Sequence, residues 1–222
     1  VSNAFIQSGF VDEAMLYIDK ALEYDRNNSY AAYVRAFILY ARDGNLEKTN
    51  DILLKVLNGD MTRFDILQEI GKIYYYMRDY ENALIYYRKF LDIREAQNLE
   101  VYRFENAKIG VVLDKMGLKE EAEQLFDEYL IYAENSDAVY RHVSLAMYYS
   151  YTGDSDSAIE HLKMFSQQEK YHYWTILFLE IDPLVDPIIQ HPEFEKIFGQ
   201  IKSNFWERHN KLSASLKNDG LI

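Results

Sequence analysis

Apolar residues along this chain recur with the period of an α-helix, and the helical stripes themselves recur every 34 to 39 residues. In the segments 9–21, 44–56, 78–90, 117–129 and 153–165, a turn residue is followed five positions later by a small or short one: Ala14, Thr49, Ala83, Ala122 and Ala158. Four residues on stands a bulky side chain (Ile18, Leu53, Tyr87, Phe126, Leu162), and three beyond that another of buried type (Ala21, Val56, Phe90, Tyr129, Phe165). Positions 0, +4 and +7 share one helical stripe, and a small residue on it lets a partner helix come close. The turn residue ends the preceding helix, where glycine accepts a left-handed conformation. It is glycine in four of the five segments and Arg78 in the other.

From the second segment onward, another stripe precedes each turn. It holds Tyr33, Ala36, Phe37 and Tyr40; then Leu67, Ile70, Gly71 and Tyr74; then Ile109, Gly110 and Leu113; then Leu145, Ala146 and Tyr149. Each has a small residue at the close-packing point except the first, where Phe37 replaces it. All three prolines lie beyond residue 180, so nothing before that point breaks a run of helices.

The stretch 70–90, IGKIYYYMRDYENALIYYRKF, resembles a tetratricopeptide repeat almost residue for residue, and the similarity extends over roughly 1–168. The resemblance implies an all-α fold, a right-handed α-solenoid of antiparallel helix pairs. Its repeats are expected at 1–28 (partial), 29–60, 61–98, 99–135 and 136–168, with capping helices over 169–222. About five extra residues near 92–99 depart from the regular spacing. So few residues precede Gly9 that the natural protein is expected to continue upstream.

After Gln168 the pattern changes. An apolar helix is expected over 171–180. Asp182-Pro183, Asp186-Pro187 and His191-Pro192 read as turns and helix starts. A last stripe follows, of Phe194, Ile197, Phe198, Ile201, Phe205 and Leu212. Such a tail suits the end piece that a repeat array needs. The string DPLVDPIIQHPEFEKI (182–197) resembles the closing segment of repeat arrays in bacterial multidomain signalling and transcription-regulator proteins.

Composition narrows the function. The net charge of −12 is spread along the chain without a basic block, which argues against direct nucleic-acid binding. The absence of cysteine removes disulfides, thiolate metal sites and cysteine nucleophiles. No apolar run approaches a membrane span and no signal peptide is evident, so a cytoplasmic or periplasmic location is expected. No catalytic or phosphate-binding string occurs, and His142, His161, His172, His191 and His209 stand in no ligand pattern. No catalytic residue, metal or cofactor is expected.

In tetratricopeptide arrays the first helix of each pair lines a concave groove that commonly binds peptides. The positions here that match are Val34, Ile38, Gln68, Lys72, Tyr75, Ala107, Val111, Asp114, Val143, Met147 and Ser150. Tyr75 and Tyr76 are expected to point away from the core, with Tyr74 in it. A mostly apolar groove marks a binding surface; alternatively, neighbouring helices or the tail cover it. The expected function is a non-catalytic module that binds a protein or peptide. The alternatives are the sensory arm of a regulator and a scaffold that self-associates through its N-terminal edge.

Overall fold

The computed structural model describes residues 1–136 and 139–222; Asp137 and Ala138, at the start of the expected fifth repeat, lie outside the described residues. Among the described residues there are twelve α-helices and no strand. They are α1 (Ser2–Gln7), α2 (Val11–Tyr24), α3 (Ser29–Asp43), α4 (Leu46–Gly59), α5 (Phe64–Tyr76), α6 (Tyr80–Ala96), α7 (Asn106–Lys115), α8 (Lys119–Glu134), α9 (Arg141–Thr152), α10 (Ser155–Ser166), α11 (Tyr173–Phe178) and α12 (Phe194–Asn218). Two compact units result, one of 1–6 and 10–125, the other of 7–9 and 126–222. The division falls inside α8, at a place the repeat pattern does not mark.

The turn residues behave as their positions demand. Gly9, Gly44, Gly117 and Gly153 all have φ between 64° and 85°. Arg78 fills the same place with φ 59°, so the conformation belongs to the turn and not to glycine. Helix starts are capped by side chains: Asn28 accepts from the Ala31 amide, Asn45 from Lys48, Asp79 from Asn82 and Asp154 from Ser157.

In the first unit α3 packs on α2 and α4, α5 on α4 and α6, and α7 on α6. Ala14, Ala83 and Ala122 are fully buried, as a close-packing position requires, and Thr49 is 1% exposed. The extra residues after the third repeat are absorbed in two ways. α6 runs for 17 residues against 14 in α4, and the linker beyond it takes left-handed turns at Asn98 and Tyr102. A 3-10 turn, Arg103–Glu105, then leads into α7.

Gly71 shows why the stripe needs a small residue. A methyl group there would meet the Tyr87 ring at 2.8 Å from Cδ1 and 2.9 Å from Cγ. Tyr87 is fully buried and its hydroxyl donates to Glu105 Oε2 at 3.3 Å, so the ring has little room to retreat. Gly71→Ala gains helix propensity of about 1 kcal/mol. The clash outweighs it, and a net loss of about 1–2 kcal/mol is expected by denaturant melting. An unchanged midpoint would show that the ring gives way.

In the second unit α9 packs against α10, and α10 against α12. The expected tail helix is shorter than its apolar run: α11 ends at Phe178 and 3-10 turns follow at Leu179–Ile181 and Pro183–Val185. Asp182 caps the second turn by accepting from the Leu184 amide at 3.0 Å. On α12 the stripe is buried from Phe194 to Phe205, whereas Leu212 is 41% exposed. Between Phe205 and Leu212 the cover thins, although Arg208 still reaches the Tyr171 ring and carbonyl.

Candidate functional site

The groove positions read from the sequence are for the most part not open. Val34, Ile38, Gln68, Tyr75, Ala107, Val111, Met147 and Ser150 are buried, while Lys72, Asp114 and Val143 are half-buried. Tyr75 and Tyr76 are buried and Tyr74 is half-buried, the reverse of the expected order. The physical reason is that the first helix of each pair is covered on more than one stripe here, so its apolar residues off the repeat stripe are core as well.

In the second unit the cover is the chain's own tail. Ser150 Oγ donates to the carbonyl of Leu184 at 2.5 Å, and the turn Pro183–Val185 packs on α9. At Ser150, then, the tail lies against α9.

In the first unit the corresponding faces of α3, α5 and α7 carry charge. Lys72 Nζ lies 2.6 Å from Glu69 Oε2, an ion pair rather than an aligned hydrogen bond, and 4.0 Å from Glu105 Oε1. Lys108 Nζ is 3.8 Å from the same Glu105 oxygen. The Tyr33 hydroxyl donates to Glu69 Oε1 at 3.5 Å. Glu105 is 1% exposed and Glu69 8%, so two carboxylates and two ammonium groups share a largely desolvated cluster. Burial pushes the Glu69 carboxyl above its ordinary range, although Lys72 opposes the shift. Burial likewise raises the Tyr33 phenol, with the Glu69 charge adding to it. Lys72 also sits 5.7 Å above the Phe37 ring, which gives the bulky replacement at that position a role as a cation platform. Both polar atoms of the Gln68 amide are buried without a hydrogen-bond partner.

Aromatic side chains border this cluster. Tyr30 and Tyr33 have ring centroids 6.0 Å apart, and Tyr102 and Phe104 lie 5.7 Å apart. Tyr30 is 57% and Phe104 43% exposed. Of this ensemble, the sequence reading identified Gln68 and Lys72 and missed Tyr33, Glu69, Tyr102, Phe104, Glu105 and Lys108. A signal was available in Glu69 and Lys108, which stand one residue after the groove positions Gln68 and Ala107 on their helices.

The second unit holds a histidine pair that spacing did not reveal. His142 on α9 and His161 on α10 bring their Nδ1 atoms to 3.1 Å, and the His161 ring stacks on Tyr149. One ring must donate and the other accept, so the contact needs at least one neutral imidazole. Burial depresses both pKa values, helped by Arg141 at His142 and by His142 at His161, where Glu160 acts oppositely. A depressed basic group contributes stability that is full above its unfolded pKa of about 6.5 and is lost as pH falls through the folded value. The melting temperature is therefore expected to drop between pH 7 and 5, and His142→Gln/His161→Gln to flatten that part of the profile. An equal slope in the double variant would assign the pH dependence elsewhere.

Among the described residues no group of three or more His, Cys, Asp or Glu side chains could hold a metal ion, and no helix is long and apolar enough to cross a membrane.

The tetratricopeptide repeat family profile matches residues 64–97, the span of α5 and α6. No curated protein matches the chain. Among solved structures, PilF of Pseudomonas aeruginosa is 16% identical with a TM-score of 0.50, over 96% of this chain and 94% of that one. A crystal structure of MamA is 19% identical with a TM-score of 0.48, over 74% of this chain and 92% of that one. At these identities the likeness to PilF concerns the fold alone. With the repeat matched at α5–α6 and helix pairs of the same pattern on either side, the chain is an all-α helical-repeat protein that carries a tetratricopeptide repeat at 64–97.

Proposed function

We propose that this chain is a non-catalytic interaction module and that it takes an extended peptide segment of a protein partner across α3, α5 and the start of α7. The observation that carries this reading is the border of exposed aromatics, Tyr30 and Phe104, around the desolvated Glu69–Lys72–Glu105–Lys108 cluster. Exposed rings beside a polar, water-poor centre are the usual composition of a binding hot spot. The two lysine side chains are the more accessible members of the cluster, 16% exposed each against 11% for Glu69 and 2% for Glu105, so a ligand meets positive charge first. The segment that fits has apolar side chains flanking one acidic residue.

The test is a peptide-display selection on the purified chain, followed by affinity measurement for the winning sequence. Tyr30→Ser and Phe104→Ser are each expected to weaken binding about tenfold, the size of a modest hot spot, with unchanged melting curves. Selection of sequences lacking an acidic position, or full affinity in both variants, would reject this surface.

A further inference from the structure

Arg208, on α12, is held in an unusual way. Its guanidinium lies 4.9 Å from the centroid of the Tyr171 ring and 5.6 Å from that of Phe205. Nη2 donates to the Tyr171 carbonyl at 3.1 Å. Nη1 is buried and has no hydrogen-bond partner. A buried, charged donor left unpaired costs free energy, and natural folds rarely keep one without a ligand or water to meet it.

Beside it lies a cavity of about 290 Å³, all of whose lining residues belong to the second unit. Four of them are basic: Lys170, His172, Arg208 and His209. Phe205 and Leu212 supply apolar wall, and no carboxylate lines the space. A second cavity that Arg208 and Tyr171 also line does contain Glu169 and Glu207, but Glu207 is paired with Lys211 at 2.7 Å. In a protein with net charge −12, a cavity whose ionisable lining is basic and without a carboxylate is against the trend of the chain.

We infer that this cavity is a binding site for a small oxyanion, a carboxylate or phosphate group, seated on Arg208 and Lys170. A guanidinium presents its N–H groups as a planar fork that matches such oxygens, and here two aromatic rings fix the plane in advance. His209 Nδ1 donates to the Ser8 carbonyl, 2.9 Å away, since a carbonyl can only accept; this bond orients the ring at the cavity wall. Burial, and then the Arg208 charge, lower the pKa of His172, and a bound anion opposes the second effect.

Trp206 reports on the site, its ring standing 5.1 Å from His209 and 5.2 Å from Phe205. Its fluorescence is to be titrated in the full chain with sodium acetate and with inorganic phosphate, chloride being varied to hold ionic strength constant. A saturable change with either oxyanion, and none with chloride alone, is expected. The tighter of the two arms tells a carboxylate site from a phosphate site. Arg208→Gln should weaken binding at least about tenfold, the worth of a hydrogen bond to a charged group. Lys170→Gln, at an exposed position, should weaken it about threefold without moving the melting temperature. It decides the matter if Arg208→Gln fails to fold. A response that does not saturate, or that Lys170→Gln leaves unaltered, overturns the proposal and leaves Nη1 to water.

Discussion

Val111→Asp is expected to unfold the first unit rather than to silence a binding groove. Val111 lies on α7 and is 5% exposed, between Ala107 and Val112, which are also buried. Replacing it removes a buried isopropyl group worth about 1.5–3 kcal/mol. It also places a carboxylate where its ordinary solvation is lost. The nearest described cluster of charge on these helices, Glu69, Lys72, Glu105 and Lys108, already balances itself with two charges of each sign. A third carboxylate gains no partner there. It either stays ionised at a cost of several kcal/mol or takes up a proton and remains an unpaired polar group. The sum, about 4 kcal/mol or more, is a large part of the stability of an ordinary domain. Circular dichroism should show lost helix or a transition far below that of the parent. Val111→Ala, which introduces no charge, should cost about half as much and keep the fold. A soluble, fully helical Val111→Asp with an unshifted midpoint would show that α7 turns this face to water.

That expectation marks where sequence reasoning stopped. The small positions and the turns were legible because each has one physical cause. Ala83 is small because a helix touches it, and Gly153 stands in a turn whose φ of 85° favours glycine without requiring it. The groove was not legible. Its residues were assigned by the register of the repeat, and register gives direction from the helix axis without saying what stands opposite. For Ser150 the cover is Leu184, 34 residues away, and nothing in the local pattern of either residue encodes the meeting. His142 and His161 are 19 residues apart on different helices, so their contact depends on how α9 crosses α10. The charged cluster escaped for a related reason. Glu69 and Glu105 look like surface residues in one dimension, because carboxylates usually are. Only the packing shows that Lys72 and Lys108 follow them inside.

Deleting 171–222 should abolish the second unit. Tyr171 lies against Phe165, with ring centroids 5.1 Å apart, and Phe165 is fully buried in the intact chain. The Tyr171 hydroxyl donates to the Ile201 carbonyl at 2.6 Å, tying the start of the tail to its last helix. Leu184, Val185, Ile188, Phe194, Ile197, Phe198, Ile201 and Phe205 are all buried, so the deletion removes an entire layer and not a fringe. What remains of the unit is chiefly the end of α8 with α9 and α10, one face bare. Three short helical pieces bury too little apolar surface to offset their own ordering. The polar losses are smaller: Ser150 loses its acceptor and Lys163 its ion pair with Glu193 at 2.7 Å. Ser150→Ala alone should therefore cost only about 1 kcal/mol. The truncated chain is expected to elute as aggregate on size exclusion, or to melt at least about 10 °C lower. That shift corresponds to a loss of several kcal/mol for a chain of this size. The two outcomes have one cause, the apolar face of α9 and α10 seeking either another molecule or the unfolded state. A monodisperse truncation with the parent's melting temperature would mean that α9 and α10 stand without the tail, and would return Met147 and Ser150 to the open groove.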